Sequence, residues 1–376
     1  VAKRLKDLGL YTDLVRAAKR TTGVWPKPVP GEKTRKAFLK ALNFAPSEPT
    51  PKSVRVDRTW KKDGVSGEAV SWSVGYGPRT EGWILKPAGA KGPLPGIVAL
   101  HDHGGVKFYG KEKIADDNRK PTDYLRQFRD HCYEGRAWAN DLAREGYVVL
   151  AHDTFLWGSR KFPYETMGFQ RQAERLTAGA YPYGAPKEIG LYDAAAGAHE
   201  SLVEKYCHVL GTTFAGIVTH EDRIAVNYLL GRPDVSGKGV GCVGLSGGGM
   251  RSTLLQATTK EIAAAVIVGA MTTFEEMLDH NIRTHTWLFF PSGWPVIGDW
   301  SDAAACRAPS PLMVQNDLED PLYTVKGMKA AHRRVASHYK SKGKPGNYEG
   351  RFYPGTHKFD LEMQRDAFAF LKKWLT

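Results

Sequence analysis

Short apolar runs and longer stretches of helical periodicity alternate along most of this chain. Ser53–Trp60 and Glu68–Gly77 alternate apolar and polar positions in the strand manner, and Gly82–Pro87 is a short third strand. Continuous apolar runs follow at Gly96–Leu100, Tyr147–Ala151, Val240–Leu245, Ala264–Val268, Pro311–Val314 and Tyr348–Tyr353. Runs of that kind read as parallel strands covered on both faces. Between several of them the period changes to that of a helix, over Arg136–Glu145, Glu221–Leu230, Gly249–Thr258, Val325–Lys340 and Leu361–Trp374. Strand and helix in alternation predict an α/β fold. Its central sheet is mostly parallel, with helices on both faces and an antiparallel edge from the leading strands.

Two segments depart from this rhythm. Residues 1–50 carry Leu5, Leu8, Leu14 and Ala17 at helical spacing, then Pro26, Pro28 and Pro30, then a short helix over Arg35–Leu42. This helical N-terminal extension is too short for a core of its own, so it is expected to pack on the catalytic domain, residues 51–376. The connection from Asp153 to Glu221 is far longer than a simple crossover. It is rich in Gly, Tyr and Phe and holds a helix at Ala194–Val209. Insertions of this size are usually lids, and residues of about 155–218 are the predicted cap.

Composition narrows the picture. Hydrophobic residues make up 42% and charged residues 25% of the chain, as in a soluble globular protein. The net charge of +13 comes from scattered Lys and Arg plus a cluster near the N-terminus. No zinc-finger or RNA-binding signature accompanies it, so a solvated surface is favoured over a nucleic-acid partner. Cys132, Cys207, Cys242 and Cys306 form no C-x-x-C pair. With no apolar membrane-spanning run and no signal-peptide core, the expected location is cytoplasmic, secretion after signal removal being left open. No cofactor motif stands out.

The chemistry centres on Gly244-Leu245-Ser246-Gly247-Gly248, a G-x-S-x-G pattern. The pattern alone is weak. Its context is not, because a buried strand leads in and a helix leads out. A serine there sits on a sharp strand-to-helix turn, with its hydroxyl above the sheet and a helix N-terminus beneath it. A serine hydroxyl needs a base to take its proton. In chains of this organisation the order is Ser, acid, His. The loop after Pro311–Val314 offers Asp317, Glu319 and Asp320. Asp320 is preferred because it precedes a Pro-Leu-Tyr segment that restarts into a helix, and Asp317 is the alternative. Of the later histidines, His332 and His338 lie in a basic helical stretch. His357 follows the last strand in Tyr353-Pro-Gly-Thr-His357 and is the candidate base.

A tetrahedral intermediate needs N–H donors for its oxyanion. One is expected from Gly247. The other is expected from Gly104 or Gly105, in the loop His101-Asp102-His103-Gly104-Gly105. His101 and His103 also suggest zinc, but no further ligand set has convincing spacing, so no metal is expected.

These motifs together carry a resemblance. G-L-S-G-G-G around Ser246, H-D-H-G-G at His101–Gly105, P-L-M-V-Q-N-D-L-E-D-P-L up to Leu322, and G-T-H-K-F around His357 resemble the dienelactone hydrolase and acetyl xylan esterase-like branch of the α/β hydrolases. The stretch from His220 to Val235 and Trp157-Gly-Ser-Arg160 are also similar. The resemblance covers roughly residues 80–376. It implies an α/β-hydrolase fold and a carboxylic ester hydrolase using Ser, Asp and His. Dienelactone hydrolases proper use a cysteine nucleophile, and here Ser246 stands in that place, which argues against that substrate.

The expected partner is a small-molecule ester, with no nucleic acid and no membrane, and self-association into a homo-oligomer is left open. An acetyl or carbohydrate ester suits the aromatic residues of the cap and of Met271–Trp300. His103, Trp157, His280, His285 and Trp294 are candidates for touching substrate. The competing readings are C–C hydrolysis or acyl transfer on the same triad, and a non-catalytic binding protein on a hydrolase fold.

Overall fold

Nine strands make one sheet: β1 Lys52–Lys62, β2 Val65–Ser73, β3 Thr80–Pro87, β4 Leu94–Leu100, β5 Val148–His152, β6 Val235–Leu245, β7 Ile262–Val268, β8 Leu312–Asp317 and β9 Tyr348–Tyr353. Their spatial order is β1-β2-β3-β5-β4-β6-β7-β8-β9. The pairings β1–β2, β2–β3 and β3–β5 are antiparallel, and all later ones are parallel. The structure is a computed structural model, and it describes residues 4–169, 174, 177 and 181–376.

The apolar runs follow from burial on both faces. Val98 and Leu100 of β4 join one core with Cys242 of β6 and Ile224, Val226 and Leu229 of the helix Phe214–Leu230. Their neighbours Ile97, Ala99, Val243 and Leu245 join the opposite core. There they meet Trp138, Met363 and Phe370 from the helices Trp138–Arg144 and Leu361–Leu375. Side chains alternate between two apolar layers, so neither face can be polar.

Phe38 and Leu42 of the N-terminal segment are part of the main core. Trp25 N–H donates to Pro295 O at 2.7 Å and Gly31 N–H to Cys306 O at 2.8 Å. Arg35 donates to the carbonyl of Thr258, the last residue of the helix Gly247–Thr258. A cation at a helix C-terminus suits the helix dipole.

Three elements differ from the sequence reading. The helix Phe214–Leu230 starts well before Glu221, because the Thr213 hydroxyl accepts from Gly216 N–H and caps it there. The helix Asp123–Tyr133 was not expected from its polar sequence. It forms because Thr122 caps it and because Tyr124, Leu125, Phe128 and Cys132 fall on one buried face. The insertion's helix runs over Lys187–Val209, longer than Ala194–Val209. Part of the predicted cap, residues 170–173, 175–176 and 178–180, lies outside the described residues. Among the described residues no helix is long and apolar enough to cross a membrane.

One buried ion pair ties the layers beneath the sheet's centre. Arg251, on the helix Gly247–Thr258, donates twice to Asp222, at 2.9 and 2.6 Å. It also reaches His152 Nε2 at 3.1 Å and the carbonyl of His101 at 3.4 Å. All four residues are buried. Arg251→Met removes the buried countercharge of Asp222 and leaves it only His152 Nε2, at 2.9 Å, which costs about 3–5 kcal/mol. Urea unfolding should show that loss as a lower midpoint with an unchanged slope, and most of it should return when Asp222→Asn is added.

Candidate active site

β6 delivers Ser246 to the sharp turn that the sequence implied. Its φ and ψ are 57° and −119°, a region that residues with a side chain rarely adopt. Ser246 N–H donates to Val268 O at the end of β7, and its carbonyl accepts from Met250 N–H, both at 2.8 Å. Close packing requires the glycines that follow. A Cβ on Gly248 would sit 2.2 Å from Leu100 O, and one on Gly247 would sit 2.5 Å from His103 N.

His357 Nδ1–H donates to Asp320 Oδ2 at 2.5 Å. Asp320 has its other oxygen on Leu322 N–H at 2.8 Å. His357 Nε2 is buried with no partner. The ring lies against the corner after β7, where a Cβ on Gly269 would be 3.1 Å from His357 Cε1. The Ser246 amide is bonded to Val268, the residue before Gly269. Ser246, His357 and Asp320 are therefore brought to one place.

The alternative acid, Asp317, accepts from Lys358 N–H at 3.2 Å and leaves Oδ1 buried without a partner. Burial raises its pKa to about 7, against the lowering by that amide. It does not hold the imidazole. For His357 burial alone would depress the pKa, but the bond and charge of Asp320 outweigh it and raise the pKa above its ordinary value.

The oxyanion loop corrects one expectation. Gly105 N–H is committed to His103 Nδ1 at 3.0 Å, so it is not a free donor. Among the described residues the Gly104 amide has no acceptor, but the backbone nitrogen that a Cβ on Gly247 would meet, at 2.5 Å, is that of His103. Among the described residues neither the Gly247 nor the His103 amide has an acceptor. The His103 ring is equally fixed. Nδ1 accepts, so Nε2 carries the proton and donates to Glu200 at 3.1 Å. Buried Lys113 pins the loop through the carbonyls of Asp102, His103 and Val106, at 2.5, 3.3 and 3.1 Å.

The tentative substrate contacts divide differently. Trp157 is buried, stacked on Phe214 and capped by Lys107, so it supports the loop from below. Trp294 is fully buried against Phe38 and Trp300 and donates to Phe38 O at 3.0 Å. Both are core residues, since a large ring fills a gap in the apolar layer better than it lines an opening. His280 and His285 donate to the carbonyls of Pro321 and Leu322, at 3.0 and 3.1 Å. His285 lies between Phe289 and Tyr323, and burial lowers its pKa to about 4. These two histidines brace the loop that carries Asp320. Sequence reasoning missed Glu200 and Lys113. Glu200 sat in an unremarkable helix, and Lys113 among other charged residues.

Solved structures share this architecture. A Bacteroides fragilis protein described as a "putative acetyl xylan esterase" superposes with a TM-score of 0.68 at 16% identity, over 94% of this chain and 84% of its own. The fold is that of the α/β hydrolases. A glucuronoyl esterase from Solibacter usitatus matches at TM-score 0.60 and 15% identity, over 91% and 92% of the two chains. A protein titled Methylesterase BT1017 matches at TM-score 0.61 and 18% identity, over 91% of this chain. This chain spans 64% of that protein's length. In sequence, "Putative hydrolase YtaP" of Bacillus subtilis strain 168 is 20% identical over 342 residues, 91% of this chain and 98% of its own. The family described as "BAAT / Acyl-CoA thioester hydrolase C terminal" matches residues 223–288, which include the turn at Ser246. The chain thus resembles the esterase branch that its motifs suggested.

Two outcomes check the assignment of acid and base. Asp320→Asn should lower kcat toward a p-nitrophenyl ester by about 10⁴-fold, and Asp317→Asn by less than about tenfold. A base must be neutral to accept a proton, so kcat/KM should rise with pH through a midpoint above 6.5. That midpoint should move down in any Asp320→Asn activity that remains.

Proposed function

We propose that this chain is a serine carboxylic ester hydrolase that works through an acyl-enzyme. Ser246 attacks the ester carbonyl while His357 Nε2 takes its proton, forming a tetrahedral intermediate. The amides of Gly247 and His103 hold the oxyanion. Collapse expels the alcohol, which takes its proton from His357. Water, deprotonated by the same nitrogen, then attacks the acyl-enzyme, and a second collapse frees the acid and Ser246. Asp320 keeps Nδ1 protonated and so keeps Nε2 the accepting nitrogen.

The observation that carries this reading is the buried, unpartnered Nε2 of His357, set against the corner that also binds the Ser246 amide. Burying a polar atom without a partner is costly, so the arrangement calls for a transient hydrogen bond at that nitrogen. The esterase names of the similar structures support a small ester, acetyl or carbohydrate, as substrate. The thioester hydrolase family matches only the stretch around the nucleophile, and the same steps cleave a thioester.

A panel of p-nitrophenyl acetate, an acetylated xylo-oligosaccharide, a uronate methyl ester and an acetyl thioester tests the reading. At least one oxygen ester should be turned over, and Ser246→Ala should lose about 10⁴-fold or more in kcat. Equal turnover by wild type and Ser246→Ala would contradict it.

A further inference from the structure

A buried carboxylate of the insertion is bonded to both walls of the site. Glu200 lies on the helix Lys187–Val209 and is 4% exposed. Its Oε2 accepts from His103 Nε2–H at 3.1 Å and from the ammonium of Lys107, both on the loop after β4. Its Oε1 accepts from the Thr286 hydroxyl at 2.6 Å and from Trp287 N–H at 2.9 Å, on the segment after β7. Four donors fill a carboxylate's four acceptor positions. A carboxylate so deeply buried needs such compensation to stay charged. Lys107, itself buried and 4.1 Å from the centre of the Trp157 ring, supplies the countercharge.

The geometry has a direction. His103 is fixed at both ring nitrogens, by Gly105 N–H on one side and Glu200 on the other. That ring anchors the residue whose own backbone amide stands beside Gly247. We propose that Glu200 is a positioning residue for the oxyanion hole: by holding the His103 ring, the insertion helix sets the His103 amide where the oxyanion forms. The insertion is then part of the catalytic apparatus rather than only a cover. A carboxamide cannot substitute, because in one orientation its NH2 meets the donors of Lys107 and His103 and in the other it meets Trp287 N–H. This inference rests on the esterase reading.

The test uses p-nitrophenyl acetate with the full chain. Removing an oxyanion donor typically costs at least about 100-fold in rate. Glu200→Gln should therefore lower kcat by about 100-fold while KM moves less than about threefold. If Glu200 acts through His103, adding Glu200→Gln to His103→Ala should cost less than about threefold more. Full additivity of the two losses, or a Glu200→Gln enzyme within about threefold of wild type, would overturn the proposal. Should Glu200→Gln not fold, His103→Ala and Thr286→Val decide, because each removes one donor to the same carboxylate. The proposal requires a kcat loss of about 30-fold or more for His103→Ala at constant KM, and less than about fivefold for Thr286→Val. Equal losses would mean a structural clamp and would overturn it. Wild type that turns over no ester would sink the esterase reading itself, whereas active wild type with an unaffected Glu200→Gln sinks only this inference.

Discussion

The backbone of Ser246 is the constraint on which the site depends. A non-glycine residue at φ 57° and ψ −119° stores strain of order 1–3 kcal/mol, which persists only where the surroundings over-determine it. Here the surroundings are β4 and β7. The end of β7 holds the Ser246 amide, and the end of β4 lies so close that only glycine fits at 248. Beneath, Arg251 locks the helix that starts at the turn to Asp222 on its neighbour, and Arg35 holds the far end. The sheet's parallel centre thus forces the strain and fixes Ser246 on the turn between β6 and the helix Gly247–Thr258.

Around that point the molecule separates two carboxyl groups by environment. Asp320 is paired with His357 and an amide and stays suited to orienting an imidazole. Asp317 is buried with one oxygen unpartnered, and burial pushes its pKa up to about 7. The same logic of saturated acceptors governs the other wall. Glu200 is charged, buried and fully bonded, and it joins the oxyanion loop to the segment after β7. Ser246, Asp320, His357 and His103 sit on loops at the same end of the sheet, after β6, β8, β9 and β4. Each is braced by a buried polar group from outside its own loop.

What the sequence carried depended on the range of the interaction. The strands were legible because both faces are buried, and the turn at Ser246 because its glycines are needed at contact distance. Asp320 and His357 could be placed from their position after β8 and β9, although nothing in the sequence excluded Asp317 before the bond to His357 was seen. The expectation of Gly105 as an N–H donor failed, because its amide is committed to the His103 ring. Glycine suggested backbone freedom, but the amide facing Gly247 belongs to His103, and the glycines only let the loop fold back onto its ring. Trp157 and Trp294 looked like pocket walls because aromatic residues serve core and site equally well. Glu200 left no local signal, since its four donors come from two distant stretches of the chain.

The central claim is that Ser246 is an activated nucleophile. Intact-mass measurement after treatment with a fluorophosphonate, on wild type and on Ser246→Ala, tests it most directly. One adduct per wild-type chain, located on Ser246, and none on the variant is the expected result. An unmodified, folded wild type, or equal modification of both proteins, would contradict it.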